Sequence, residues 1–501
     1  MSIQVGQVLR QAALRAPERI AIVDLSEPRR ELRYAELDAL ALRVAARLIA
    51  AGVVPGERVG LLAENSLECA AAWFGIVYAG AAVVPLHVLS AAPELGARVS
   101  HARCRYLLHD AQREALARAA AGDSARAVSL AELTAAGIAP LERPVAAPLG
   151  AAAMVLYTSG TTGQPKGAVI SHASLLVHTS LLAQRTLGLS ADSVVLCVLP
   201  LSHSFGCRMA LLAPLFAQAR VVMLPRFDAE RSLLAMHTER VSWLPAVPTM
   251  LAAWIECPAA DGGGAPPALQ WVLSAGAPLS EEIARRAEAR LGTTVRQGYG
   301  MTEATFSAIN APPDERRFGS VGRPVWGVEL RIVDSEQRDV AAGESGEVLV
   351  RGHNLMTQYL DDAETKLTSD GFLPTGDIGR LDDAGRLYIV DRIKDLIIRG
   401  GYNVYPAEVE AALVEHPSVV EVAVVGQPDS YYGEEVVAVA VLREPCDAAA
   451  LAEFAARRLG RMRRPKHYAF VDALPLGPSG KVHKPTLREW LANGQLPLLA
   501  P

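Results

Sequence analysis

Over most of the first 390 residues, short apolar runs of strand length alternate with longer segments whose apolar positions recur at helical spacing. In "ELDALALRVAARLIAAG", Leu37, Leu40, Ala41, Val44 and Leu48 share one helical face, and Gly52 is a plausible stop. The strand-like "ERVGLLAEN" follows, then the helical "CAAAWFGIVYAG", then "AAVVPL". Two parallel strands need a crossover long enough to return the chain, and a helix supplies it. This repeated order predicts an α/β protein whose large N-terminal domain holds two helix-covered sheets.

From about residue 319 the texture changes. "VELRIVD", "GEVLVRG" and "GRLYIVD" read as short strands of a small β-rich subdomain. "DRIKDLIIRGGYNVYPAEVE" mixes charge, two glycines and a proline, which suits a linker. Two strands and two helices beyond it predict a small C-terminal α+β domain. The expected division is 1–390, a hinge at 391–400, and 401–501. Residues 110–150, Ala-rich with scattered prolines, are expected at the periphery, and the tail "LANGQLPLLAP" is expected to fray.

A chain of 501 residues exceeds a single core. Its formal charge of -5 comes with no basic block, so no nucleic-acid partner is expected. No apolar run is long enough to span a membrane, and the first residues do not read as a signal peptide. The six cysteines form no CxxC pair, which points away from zinc and disulfides and toward a reduced, cytoplasmic setting. A monomer or homodimer is expected. Of 49 Lys and Arg, only six are lysine: Lys166, Lys366, Lys394, Lys466, Lys481 and Lys484. Lysine is a compact, movable point charge, so a lysine in a Gly-rich segment of such a chain is a candidate functional cation.

One such segment is "YTSGTTGQPKGAVISH", which leaves the apolar strand "AAAMVLY". Gly160 and Gly163 let backbone approach a ligand, Thr158, Ser159, Thr161 and Thr162 add donors, and Lys166 adds charge. Together they suit phosphate. The spacing is not GxxxxGK[ST], because Gln-Pro-Lys-Gly follows Gly163, so a different nucleotide site is indicated.

This loop resembles the signature of the adenylate-forming superfamily: acyl-CoA synthetases, luciferases and peptide-synthetase adenylation domains. "LPLSHSFG", "SAGAPLS", "QGYGMTEA", "GSVGRP", "GEVLVRG", "PTGDIG", "VDRIKDLIIRGGYNVYPAEVE" and "PSGKVHKPTLRE" follow in the family's order across most of residues 150–490. The resemblance implies two half-reactions. A carboxylate attacks the ATP α-phosphate to give acyl-AMP and pyrophosphate, and a thiol, usually of coenzyme A, then displaces AMP.

The resemblance also implies roles. Thr158 to Lys166 would grip the β- and γ-phosphates, with Mg2+ shared by Glu303 and Thr162, and Thr302 would meet the α-phosphate. For "MTE" taken alone, the competing expectation is a helix N-terminus capped by Thr302. Tyr299 and Gly300, with Gly276 and Ala277, would hold adenine, while Asp377 and Arg392 would hold ribose. His203, Phe205, Gly206 and Gly298 would border the acid, and "PLSHSFGCRM" lacks the Asp with which peptide-synthetase domains pair an α-ammonium. Lys481 would bridge the carboxylate and α-phosphate. Lys394 would be the hinge of a mobile C-terminal domain, and Gly400, Gly401 and Tyr402 would line the coenzyme A path. For Arg208 two roles are weighed, contact with a second substrate carboxylate and a structural salt bridge, and the salt bridge is expected. An aromatic or medium-chain monocarboxylic acid is the expected substrate. The alternatives are an acyl-AMP ligase that loads a carrier-protein pantetheine arm, and a non-catalytic nucleotide-binding regulator.

Overall fold

The computed structural model describes residues 4–158, 166–258, 264–361, 367–476 and 482–501. Ser159, Gly160, Thr161, Thr162, Gly163 and Lys481 lie outside the described residues. The chain divides into two compact units, 1–330 with 350–373, and 331–349 with 374–501.

The first unit carries two large sheets. One has seven strands in the order Gln358–Tyr359, Lys166–Ser171, Ala152–Thr158, Ala82–Pro85, Arg58–Leu62, Tyr106–His109, Arg126–Ser129. Its five strands from Ala152–Thr158 onward are parallel. The segment expected at the periphery supplies its edge strand, Arg126–Ser129. The second sheet has nine strands: Arg323–Pro324, Thr305–Ile309, Thr294–Met301, Trp271–Ala275, Trp243–Ala246, Val194–Cys197, Arg220–Met223, Ile20–Asp24, Arg30–Arg33. It is parallel from Thr294–Met301 to Ile20–Asp24 and antiparallel at both ends. The sequence therefore predicted the fold class, with each run of parallel strands joined through helices.

Two helices show why. Leu37, Ala41, Val44 and Leu48 of Tyr34–Ala50 are buried, as the periodicity requires. The next helix, Leu67–Tyr78, is buried at every residue except Glu68. Ser66 caps it by accepting from the Cys69 N–H at 3.1 Å. Gly75 lets the pair close up, because a Cβ there would sit 2.4 Å from Val44 Cγ1.

The second unit contains a sheet of strands Tyr402–Val404, Ile397–Arg399, Gly433–Leu442 and Val419–Asp429, with His467–Phe470 parallel to Gly433–Leu442. Strands Leu373–Leu381 and Leu387–Arg392 pair antiparallel beside it in sequence. The expectation of a frayed tail is overturned. Tyr468 and Leu499 exchange backbone hydrogen bonds at 2.9 and 2.8 Å, and Leu496 is 7% exposed within a core cluster. The tail's alternating leucines find a sheet edge and a hydrophobic face, neither of which a local reading can see. Deleting residues 495–501 should cost about 2–4 kcal/mol, one buried leucine plus two backbone bonds, measured as a lower denaturation midpoint.

Candidate functional site

In open α/β sheets, ligands bind beyond the carboxyl ends of the parallel strands. In the first unit, the expected site residues gather at such ends. Thr158 and Lys166 are cross-strand partners, so both ends of the segment 159–165 are pinned opposite one another. Lys166 is exposed, and its Nζ lies 5.2 Å from the centre of the Tyr359 ring. The Tyr359 hydroxyl donates to Glu303 Oε1 at 2.9 Å. Glu303 is 8% exposed, and its carbonyl accepts from the Met356 N–H at 2.7 Å. The strap 356–360 thus brings Lys166 and the buried Glu303 carboxylate to a single phenol, the first over its ring and the second at its hydroxyl.

Thr302 and Glu303 lie in the tight turn between strands Thr294–Met301 and Thr305–Ile309. The competing expectation of a helix start at "MTE" is therefore corrected. Gly300 makes this hairpin possible, since a Cβ would fall 2.1 Å from the Thr305 carbonyl oxygen. Across the sheet, Ala275 pairs with Gly298, so Gly276 and Tyr299 occupy the next rung of neighbouring strands. Gly276 turns the chain at φ +90°, Ala277 is exposed, and Tyr299 is 9% exposed.

The acid-pocket candidates also come together. The Phe205 ring meets Phe306 edge-on at 5.2 Å, and a Cβ on Gly298 would strike Phe306 at 2.8 Å. Gly206 abuts the Pro200 carbonyl, where a Cβ would fall at 2.3 Å. The His203 N–H donates to that same carbonyl, and its ring lies 5.1 Å from His87. His87 follows strand Ala82–Pro85 and is 7% exposed. Burial holds its pKa below the usual value, with Arg98 adding to the effect. Sequence reasoning missed both His87 and Tyr359. His87 had a weak signal, a polar residue just past the apolar run "AAVVPL". Tyr359 had none, since its partners are distant in the chain.

The expected salt bridge of Arg208 is not made. Arg208 is 1% exposed, and no carboxylate among the described residues pairs with it.

In the second unit, Asp377 and Arg392 are cross-strand partners bridged at 3.1 Å, with Asp377 5% exposed. Asp377 lies within strand Leu373–Leu381, not in a turn after it. Lys394 is exposed in a short 3-10 turn, Ile393–Asp395. Asp395 pairs with Arg488 at 2.9 Å, and Asp391 accepts from the Ala407 N–H at 2.9 Å. Gly400 and Gly401, at φ +55° and +81°, form the two-residue turn of the hairpin Ile397–Arg399/Tyr402–Val404. Gly401 has no neighbouring atom within 4 Å of a Cβ position, and Tyr402 is 63% exposed. Beneath them, Arg399 forms a buried ion pair with Glu435 at 2.8 Å.

The donors suit Mg2+. Glu303 offers carboxylate oxygens, and among the described residues no cluster of three or more His, Cys, Asp or Glu could cage a metal alone. Mg2+ characteristically takes one or two carboxylates and completes its shell with phosphate and water. Among the described residues, no helix is long and apolar enough to cross a membrane.

Residues 9–360 match the AMP-binding enzyme family, and residues 408–481 match the AMP-binding enzyme C-terminal domain. The chain belongs to this family, the adenylate-forming superfamily. It is 37% identical to a sulfoacetate–CoA ligase of Cupriavidus necator, over 87% of this chain and 88% of that one. ATP-bound MatB from Rhodopseudomonas palustris superposes with a TM-score of 0.91 at 31% identity, covering 98% of this chain and 99% of that one. The Bacillus subtilis o-succinylbenzoate CoA synthetase, solved with ATP and a magnesium ion, gives 0.87 at 30% identity, covering 97% and 99%.

Tyr359→Phe keeps the ring beside Lys166 but removes the hydrogen bond to Glu303. The Mg2+ concentration for half-maximal pyrophosphate release should rise about tenfold, as expected for loss of a group that orients a metal ligand.

Proposed function

We propose that this chain is an ATP-dependent carboxylic acid–CoA ligase of the AMP-forming type. The observation that carries the reading is the juxtaposition of Lys166, Tyr359 and Glu303 at the mouth of the segment 159–165. A non-catalytic regulator needs only to bind nucleotide. A cation and a buried carboxylate gathered around one phenol suit a triphosphate whose leaving group must be stabilised while its charge develops.

In the first half-reaction, a carboxylate oxygen of the acid attacks the α-phosphorus, and the bond to the β-phosphate bridging oxygen breaks. Lys166 and the hydroxyls of Thr158, Ser159, Thr161 and Thr162 receive the departing pyrophosphate. Glu303 and Thr162 would hold Mg2+, whose charge offsets that of the phosphates. Thr302 donates to the α-phosphate. Tyr299 stacks on adenine, with Gly276, Ala277 and Gly300 at its edge. Asp377 accepts from the ribose hydroxyls, and the Arg392 guanidinium fixes that carboxylate in place. Lys481 neutralises the carboxylate and α-phosphate as they meet.

In the second half-reaction, the thiolate of coenzyme A attacks the acyl carbon and AMP leaves with the bonding pair. His203, next to His87, borders the carboxylate. Lys481 withdraws, with Lys394 as the pivot, and Gly400 and Gly401 leave room for the pantetheine arm beside Tyr402.

The test is acid-dependent pyrophosphate release from ATP, followed by AMP release on adding coenzyme A. Pyrophosphate release with AMP appearing only on a pantetheine-bearing carrier protein would move the acceptor and leave adenylation standing. Lys481→Ala should lose adenylation about 100-fold or more and keep thioester formation from supplied acyl-AMP. Lys394→Pro should do the reverse. Equal loss of both steps in both variants would contradict the two-position scheme.

A further inference from the structure

Arg208 is one of the largest fully buried side chains of the protein. It lies in the segment Gly206–Leu212, every residue of which is buried. Its Nε, Nη1 and Nη2 have no hydrogen-bond partner among the described residues. Burial brings its pKa down to about 9, with only the thiol of Cys207 acting the other way. Cys207 is itself held neutral, its pKa pushed up to about 12. Arg208 is therefore a buried cation at neutral pH with no compensating charge among the described residues, an arrangement that is costly unless a partner arrives.

Arg208 is close enough to His178 to hold that imidazole's pKa down, after burial, the larger cause. His178 Nδ1 bonds His353 Nε2 at 3.2 Å, and His353 bonds the backbone of Gly327, beside which its Nδ1 sits. A carbonyl accepts only, so His353 carries its proton on Nδ1 and receives one from His178 at Nε2. His178 Nε2 is then a buried lone pair with no partner among the described residues. It can take one guanidinium N–H and leave the rest of the fork free.

The cluster is linked to the acid-pocket candidates along two segments of the chain. Phe205 and Gly206 immediately precede it in the chain. Asn354, next to His353, bonds the Phe306 carbonyl at 3.4 Å and Ser307 Oγ at 3.2 Å, and also donates to the Ala304 carbonyl. Phe306 is the wall against which Phe205 packs.

We propose that Arg208, beside His178, is an anion subsite of the acid pocket, and that the acid activated by this chain carries a second anionic group, a carboxylate or sulfonate, besides the carboxylate that reacts. This rests on the ligase reading and names its substrate class, in place of the monocarboxylic acid expected from the sequence. The planar fork of donors matches two oxygens of such a group. An acid with an apolar tail leaves the guanidinium bare, and a site built to bond a group strongly rejects the analogue that lacks it.

The experiment compares acids in pairs of equal length, over a range of lengths, by pyrophosphate release. Each pair sets a dicarboxylate or a sulfonated acid against its methyl-ended counterpart. The wild-type enzyme should favour the anionic member about 100-fold or more in kcat/KM. Arg208→Met should abolish that preference while leaving the KM for ATP unchanged, and Arg208→Lys should keep part of it. Equal or better use of the methyl-ended acids by the wild type overturns the proposal, and this comparison needs no folded variant. A preference that survives Arg208→Met also overturns it, leaving Arg208 a hydrated structural cation. Use of neutral acids alone leaves the ligase reading intact, whereas no pyrophosphate release with any acid sinks both.

Discussion

The strap formed by residues 356–360 holds the catalytic region of the first unit together. On one side it adds a strand to the seven-stranded sheet, where Gln358 and Tyr359 pair with Val169 and Ala168. On the other, Met356 and Tyr359 bond the backbone and side chain of Glu303, in the hairpin that ends the nine-stranded sheet. Asn354, fully buried, reinforces that second attachment. The strap therefore ties the end of the hairpin carrying Glu303 to the strand that begins at Lys166. Under the proposed ligase reading, Lys166 and Glu303 would meet one triphosphate with little reorganisation as charge develops.

The same region stores two unusual features. Gly300 and Gly206 sit where any side chain would collide with backbone, so strand and helix approach more closely than a general sequence permits. Arg208 carries a charge into a fully buried position without a partner among the described residues. Core packing explains neither. Close backbone approach and uncompensated buried charge are both expected where a ligand completes the structure.

In the second unit, rigidity surrounds a few exposed points. Asp391 ties the end of one strand to the helix that follows, and Arg399–Glu435 anchors the hairpin from below. Lys394 and the Gly400–Gly401 turn remain exposed between these anchors. A pivot and a turn of this kind work only if their neighbours do not yield.

Much was legible in the sequence because it depends on local order. Periodicity gave the helix Tyr34–Ala50 and its buried face, apolar runs gave the strands, and the Gly-Gly pair marked the hairpin turn. The family motifs, read in order, gave the reaction type and named the candidate site residues, among them Asp377 and Arg392, which the fold pairs across two strands. Tertiary structure alone decided which groups meet. Tyr359 joined Lys166 and Glu303, His87 joined His203, and the tail found a sheet edge at Tyr468. It alone also showed that Arg208 has no salt bridge among the described residues, because a charge's partner is fixed by packing between segments distant in the chain, not by the residues beside it.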